Sequence, residues 1–215
     1  MAGTILITGA NGSLAVTVIT RLLQTYPSYT LLLTVRNSSD TDVNTAHLRS
    51  IIKSAGGSNT EVRIEELDLS SLASVAKFAE RTAAEIASGK LPRLTSIVCN
   101  AFYWNLASGI EYSDDGIEKT FQVNHLAHAA LVLRLLGSFA PDGRVVMLAS
   151  DAHWPGKNSL EKYPPDIPKN LDILLHPHAD DPKDNILGKG VQRYGSSKLA
   201  VVMWMYALNR RLEKV

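Results

Sequence analysis

The feature that most constrains this chain stands at its amino terminus, where a short apolar segment leads into a glycine-rich turn and then a helix pattern. Residues 4–8 (TILIT) are apolar or β-branched, which is typical of a buried parallel strand. Gly9 and Gly12 follow, and apolar residues recur at helical spacing from Leu14. This order lets a dinucleotide pyrophosphate approach helix amides. Alternatively, the segment does not bind a pyrophosphate and is a tight turn that needs glycine only for its backbone angles.

The same alternation continues along the chain. Strand patterns at 30–35, 62–67, 94–99 and 144–149 alternate with helix patterns at 43–55, 69–87, 116–139 and 194–212. We therefore predict an α/β fold, a doubly wound, Rossmann-like parallel sheet with right-handed crossovers and helices on both faces. Gly56 and Gly57 are predicted to stop the second helix. No linker marks a second domain, so residues 1–215 are predicted to form a single domain.

One long segment does not fit the alternation. Residues 151–190 are rich in proline, histidine and aspartate and lack helical periodicity. Loops of this length in compact domains are usually functional lids or disordered, so we predict an insertion that serves as a substrate lid, with Trp154 and Tyr163 near the substrate. A metal cluster is the alternative for four side chains of the loop, but a loop offers no framework, and we predict no metal site. These side chains are His176, His178, Asp180 and Asp181.

Composition excludes several classes of function. The chain has 215 residues with 22 basic and 21 acidic side chains, a net charge of +1, which removes the electrostatic case for a nucleic-acid or anionic-membrane partner. Its apolar runs are far shorter than the roughly 18 residues of a spanning helix. The amino terminus has no basic region typical of a signal peptide. Cys99 is the single cysteine, which excludes a disulfide framework, and we expect a cytoplasmic protein.

The spacing of Tyr194 and Lys198 carries the most chemistry. Positions i and i+4 of a helix share a face, so a phenol and an ammonium group can enter one pocket. A nearby positive charge stabilises phenolate, and we expect it to lower the phenol pKa from about 10 toward neutrality. Tyrosine could then exchange a proton with a substrate.

Taken together, TGANGSLA (residues 8–15) and YGSSK (residues 194–198) resemble the short-chain dehydrogenase/reductase family, whose turn reads T-G-x-x-x-[small]-x-G. Ser13 and Ala15 occupy the later small positions. The segment SDAH (residues 150–153) is further similar to fungal, retinol-dehydrogenase and protochlorophyllide-reductase-like members. The resemblance implies cofactor contacts from the turn at Thr8, Gly9, Asn11, Gly12, Ser13 and Leu14.

The end of the second strand indicates which nicotinamide cofactor is bound. No acid stands there for the ribose hydroxyls, whereas Arg36 can pair with a 2′-phosphate, so we predict NADP(H) over NAD(H). A solvated arginine is the alternative. The resemblance places Asp68 and Leu69 at the adenine end of the cofactor, although Asp68 could instead be an acid at a helix amino terminus.

The motif after the fourth strand departs from the family pattern. Asn100 and Ala101 stand where the family shows N-N-A-G, and the resemblance adds both to the cofactor site. Here the sequence reads CNAF, so Phe102 replaces the final glycine. We expect this change to reshape the wall of the nicotinamide pocket.

The resemblance also supplies a catalytic set of Asn124, Ser150, Tyr194 and Lys198. Tyr194 would exchange the proton, Ser150 would orient the carbonyl, and Asn124 would hold a relay water. Lys198 would lower the tyrosine pKa and hold the nicotinamide ribose, so that Tyr194 and Lys198 also belong to the cofactor site. A helix-capping serine and a buried hydrogen-bonding asparagine are the alternatives for Ser150 and Asn124. The implied activity interconverts a carbonyl and an alcohol on a small, apolar molecule.

The family chain continues beyond the Tyr–Lys helix, where this sequence has only 17 residues. The predicted fold therefore lacks the usual last strands, as a fragment or a natural short form would. The alternative function is an inactive nucleotide-binding or interaction protein, and a doubly wound methyltransferase is a third. Family members often pair through two long helices, here 116–139 and 194–212, which leaves a homo-oligomer open.

Overall fold

Strands and helices alternate along residues 2–55, 60–181 and 183–213, which a computed structural model describes. The strands are β1 (Gly3–Thr8), β2 (Tyr29–Val35), β3 (Val62–Glu66), β4 (Leu94–Cys99) and β5 (Phe139–Met147). The helices are α1 (Ser13–Thr25), α2 (Val43–Ser54), α3 (Leu72–Ala87), α4 (Lys119–Phe121), α5 (Ala127–Leu135), α6 (Asp172–Leu175) and α7 (Ile186–Leu212). The chain divides into a first unit of residues 1–101 and 130–146 and a second unit of residues 102–129 and 147–215.

The sheet has the order β3-β2-β1-β4-β5. β1 lies parallel to both β2 and β4, so that Leu6 stands opposite Leu32 and Ile97, and β2 lies parallel to β3. The direction of winding reverses between β1 and β4. With right-handed crossovers, α1 and α2 therefore cover one face of the sheet and α3 covers the other. The predicted doubly wound parallel sheet is confirmed.

An apolar core fills the space between one face of this sheet and the first two helices. Alternate residues of β1 and β2 point to this face, while Leu6 and Leu32 point to the other, which explains why both strands are apolar throughout. Burying each such side chain contributes roughly 1.5–3 kcal/mol. The core side chains are Ile7, Leu31, Leu33, Val35, Ile19, Leu23 and Leu48.

Side-chain caps set the first residues of the helices. The pattern at 69–87 becomes a helix only from Leu72, because the Ser71 hydroxyl accepts a hydrogen bond from the Ser74 amide at 3.2 Å. The helix predicted over 116–139 begins at Lys119, because the carboxylate of Glu118 accepts hydrogen bonds from the Thr120 and Phe121 amides at 3.0 and 2.7 Å. The predicted boundaries are thus wrong by three residues at each of these two starts.

The helix predicted over 116–139 is not continuous either. A π-helical turn (Gln122–Leu126) separates α4 from α5, and a 3₁₀ turn (Leu136–Ser138) leads directly into β5. The strand predicted at 144–149 accordingly runs over Phe139–Met147. The apolar spacing of the sequence did not indicate this turn, because π turns are rare and occur as single turns within helices.

The loop predicted over 151–190 is partly helical. It contains a 3₁₀ turn (Asp151–His153) and α6, and α7 begins at Ile186 rather than at Tyr194. The side chain of Asn185 caps α7 by accepting a hydrogen bond from the Gly188 amide at 2.7 Å. Gly190 interrupts the helical pattern because its backbone packs closely: a Cβ there would lie 2.5 Å from the Asn105 carbonyl oxygen.

Two further sequence predictions concern a helix stop and membrane-spanning helices. The predicted helix stop at Gly56 and Gly57 lies outside the described residues. Within the described part of the chain, every helix is either too short or too polar to cross a membrane.

Candidate functional site

The glycine-rich turn of the first unit is fixed by hydrogen bonds to the chain that leaves β4. The hydroxyl oxygen of Thr8 accepts hydrogen bonds from the Asn100 and Ala101 amides at 3.0 and 3.1 Å. The Asn100 amide group donates to the carbonyl oxygens of Thr8 and Gly9, both at 3.0 Å. Gly9 has a φ of +61°, and a Cβ there would lie 2.8 Å from the Ala101 Cα. The structure thus brings these four predicted residues together.

The amino terminus of α1 is open to solvent. Gly12 occupies the capping position without a side-chain hydrogen bond, and the first turn carries no acid. Ser13 and Leu14 are exposed. The helices that follow β2 and β3 differ, because the side chains of Asp42 and Ser71 cap them. Uncapped amides at a helix amino terminus attract anions, so the turn fits the phosphates of a dinucleotide.

Asn11 ties this turn to the start of α2. Its side-chain amide donates to the Thr45 hydroxyl at 3.0 Å and to the Asp42 carboxylate at 3.5 Å. Asp42 also accepts a hydrogen bond from the Thr45 amide at 2.8 Å. Asp42 and Thr45 were not among the predicted site residues, although an aspartate directly before the first residue of a helix is a capping signal.

Arg36 and Asp68 follow β2 and β3. Arg36 is exposed, and its guanidinium has no hydrogen bond or ion pair with any described residue. The Asp68 carboxylate accepts hydrogen bonds from the Ser70 amide and hydroxyl at 2.8 and 2.7 Å, and Leu69 beside it is buried. Because Ser71 is the cap of α3, Asp68 lies before the helix and does not cap it.

In the second unit, Asn124 lies in the π-helical turn and is almost fully buried. Its side chain donates to the Tyr103 carbonyl oxygen at 2.9 Å and to the Ser197 hydroxyl at 3.0 Å, and it accepts from the Tyr103 amide at 2.7 Å. This is the contact pattern of a buried structural asparagine. The relay water stays a prediction.

Ser150, Tyr194 and Lys198 come together in the second unit. The Ser150 hydroxyl caps the 3₁₀ turn by accepting from the Ala152 amide at 3.2 Å and donates to the Asp151 carboxylate at 3.1 Å. It also lies near enough to the Tyr194 phenol to affect the phenol pKa. The Lys198 ammonium group lies 5.7 Å from the centroid of the Tyr194 ring and donates to the Leu148 carbonyl oxygen at 2.8 Å. Both interpretations of Ser150 therefore apply at once, as helix cap and as neighbour of the phenol.

The pKa of Tyr194 differs from the sequence expectation. Burial raises the pKa of the phenol above 10, the Ser150 hydroxyl lowers it, and the nearby Asp151 carboxylate raises it. The net shift of the phenol pKa is upward, so the expected lowering toward neutrality is not seen in this arrangement. The Lys198 ammonium group donates to the Leu148 carbonyl oxygen at 2.8 Å. The phenol is thus protonated at neutral pH, the form that can donate a proton.

Residues 175–180, which follow the 3₁₀ turn Asp151–His153, contact α7 and the residue that precedes α4. Asp180 accepts two hydrogen bonds, both 2.9 Å, from one guanidinium nitrogen of Arg193, and the Glu118 amide donates to the Leu175 carbonyl oxygen at 2.7 Å. Beneath these residues lies a cavity of about 280 Å³, lined in part by Glu118, Arg193 and Phe121. The role of this segment as a substrate lid stays a prediction.

Two of the four loop side chains considered as metal ligands have oppositely charged partners. His176 lies 2.8 Å from Asp172, and Asp180 pairs with Arg193. Across the described ranges, no group of three or more histidine, cysteine or acidic side chains is arranged to hold a metal ion.

Comparison with curated proteins gives relatives that include several short-chain dehydrogenases. The short-chain dehydrogenase iccH of Talaromyces variabilis is 27% identical, with 99% of this chain and 65% of that protein aligned. The short chain dehydrogenase resG of Aspergillus sclerotiorum is 31% identical over 97% of this chain and 57% of its own length. Mouse retinol dehydrogenase 14 is 29% identical, with 98% and 57% aligned. The chain thus spans about three fifths of the length of these relatives.

Solved structures agree on the fold. A short chain dehydrogenase from Burkholderia cenocepacia in complex with NADP has a TM-score of 0.68 and 19% identity, covering 100% of this chain and 70% of that one. No model of a protein family matches the chain. The sequence relatives and the strand order nevertheless agree, and over 97–99% of its length the chain is similar to short-chain dehydrogenases.

Proposed function

We propose that this protein is an NADP(H)-dependent oxidoreductase that interconverts a carbonyl and an alcohol on a small, apolar molecule. One observation carries the proposal: the half-buried phenol of Tyr194 lies near the Ser150 hydroxyl, and the Lys198 ammonium group lies 5.7 Å from the centroid of its ring. A protonated phenol next to a second hydroxyl can donate a proton to a carbonyl oxygen while the second hydroxyl orients that oxygen. This is the pairing that carbonyl reduction requires.

Each part of the reaction falls to a separate group. In the reducing direction, bound NADPH would supply the hydride that the carbonyl carbon requires. Tyr194 supplies the proton for the oxygen, so that the C=O π bond becomes a C–H and an O–H bond. Ser150 holds the oxygen in place. The positive charge of Lys198 then stabilises the phenolate that remains on Tyr194.

The first unit supports the choice of cofactor. The uncapped amides of α1 suit the pyrophosphate, and Asn100 and Ala101 hold the turn in shape. Arg36 is exposed at the end of β2 without a protein partner among the described residues, so its guanidinium is available for a 2′-phosphate. A cytoplasmic location remains part of the same proposal.

The test is a pair of titrations of the purified chain with NADPH and NADH, followed by nicotinamide fluorescence. We expect saturable binding with a clear preference for NADPH, and Arg36→Gln should remove most of that preference. Tyr194→Phe should lower turnover of a carbonyl substrate by about 10²–10⁴-fold while cofactor affinity stays unchanged. Cofactor binding without any turnover by the wild type would favour the alternative, an inactive nucleotide-binding protein. Failure to bind either cofactor would reject both.

A further inference from the structure

Two large aromatic side chains contact the ring of Tyr194 in the second unit. The centroid of the Tyr194 ring lies 5.6 Å from that of Trp104 and 6.5 Å from that of Phe102, in edge-to-face geometry. Phe102 and Trp104 contact each other at 6.1 Å. Both are more than half exposed, at 57% and 51%. Exposed apolar rings that cluster beside a reactive group mark a ligand-binding surface.

The backbone between these two rings is held on both sides. Asn124 pairs with the amide and the carbonyl group of Tyr103 at 2.7 and 2.9 Å. The Tyr103 phenol donates to Glu111 at 2.5 Å, and the Lys119 ammonium group lies 4.8 Å from its ring centroid. Tyr103 is therefore committed to these partners, while its two neighbours contact Tyr194.

The start of α7 packs directly on the next part of this segment. A Cβ at Gly190, one turn before Tyr194, would lie 2.5 Å from the Asn105 carbonyl oxygen and 2.9 Å from the Leu106 Cα. Only glycine allows this approach. The two aromatic side chains are thus presented by a fixed segment, which reduces the entropy lost when a ligand binds.

We propose that Phe102 and Trp104 form the binding surface for an aromatic ring next to the reacting carbonyl group, which makes aryl ketones and aryl aldehydes, or the corresponding benzylic alcohols, the substrate class. This inference rests on the proposed reaction at Tyr194. A flat aromatic ring gains edge-to-face contacts with both side chains, whereas a saturated ring of the same size gains only buried area. Phe102 stands where the family pattern has glycine, so this surface depends on a residue in which this chain departs from the pattern.

The test compares two methyl ketones that differ only in ring saturation, acetophenone and cyclohexyl methyl ketone. Their dissociation constants are measured by calorimetry on Tyr194→Phe with NADPH present, so that no turnover interferes. We expect acetophenone to bind about tenfold more tightly, as two aromatic contacts predict. Adding Trp104→Leu should reduce this preference to about twofold, and Phe102→Leu should also weaken it. Tyr26→Leu, at an exposed aromatic residue that contacts Tyr29 in the first unit, should leave it unchanged.

Several results would overturn the inference. These are equal affinity for the two ketones, no binding of either, or a preference that survives both leucine substitutions. Binding does not require turnover, so the outcome is separate from that of the proposed function. A wild type that binds acetophenone selectively but never oxidises NADPH would contradict the reaction and leave the aromatic surface intact.

Discussion

The two units bury different kinds of polar groups. In the first unit, the buried polar side chains among the described residues are threonine and serine hydroxyls and the amide of Asn100. The second unit also buries ionisable groups, namely Glu118, His128 and Lys198. A buried hydroxyl needs one hydrogen bond, whereas a buried ionisable group ties stability to its protonation state. We therefore expect the stability of the second unit to depend more strongly on pH than that of the first.

The largest expected effect is a decrease in the stability of the second unit as pH falls. Burial lowers the pKa of both His125 and His128 from 6.5 to about 4. As pH falls below 6.5 the unfolded chain takes up protons that the folded chain does not bind until about pH 4, so the unfolding free energy decreases. Between pH 7 and pH 5 we expect a loss of about 2 kcal/mol per histidine. Burial raises the pKa of Glu118, which acts in the opposite direction.

Urea denaturation at pH 7 and pH 5 measures this loss, and hydrogen exchange at both pH values locates it. We expect amide protection to fall in the second unit first. His125→Phe combined with His128→Leu should flatten the pH dependence, whereas His47→Gln, at an exposed position of the first unit, should keep it. Equal loss of protection in both units would remove the distinction between them.

The next effect concerns the glycine turn of the first unit. Gly9→Ala adds a side chain at a φ of +61° and places its Cβ 2.8 Å from the Ala101 Cα. Backbone strain and the collision together should cost about 3 kcal/mol of unfolding free energy. Gly89→Ala is the matched control, because Gly89 has a φ of +75° with nothing within 4 Å of an added Cβ.

In Gly89→Ala, only backbone strain should lower the unfolding free energy, by about 1 kcal/mol. Thermal unfolding of the two variants separates the two contributions. If Gly9→Ala and Gly89→Ala lose the same stability, the close contact with Ala101 does not shape the turn.

The smallest expected effect distinguishes the side-chain caps of α2 and α3, both in the first unit. Asp42→Ala and Ser71→Ala each remove a side-chain cap and should each cost about 1 kcal/mol. Only Asp42→Ala also removes a hydrogen-bond acceptor of Asn11, so only this variant should speed amide exchange in residues 10–13. Faster exchange there in Ser71→Ala, measured by nuclear magnetic resonance, would show that Asn11 does not transmit the effect.

The sequence predicts the structure best where that structure depends on residues close together in the chain. The strands β1 and β4 and the glycine turn were predicted within one residue because their apolar runs end at glycine or at a polar residue. The pattern missed the π-helical turn and the early start of α7 at Ile186. Gly188 and Gly190 hide that start, since they serve close contacts with other segments rather than helix formation. Local propensity cannot report such contacts.

The sequence by itself determined the α/β alternation, the glycine turn and the spacing of Tyr194 and Lys198, because each depends on residues close together in the chain. Only the tertiary structure decided what those residues contact. It directed the Lys198 ammonium group to the Leu148 carbonyl oxygen and buried the phenol, which raised the pKa of Tyr194 rather than lowering it. It also placed Phe102 and Trp104 against the Tyr194 ring, some ninety residues away in the chain. Burial and long-range contact are properties of packing, and packing is set by the whole fold.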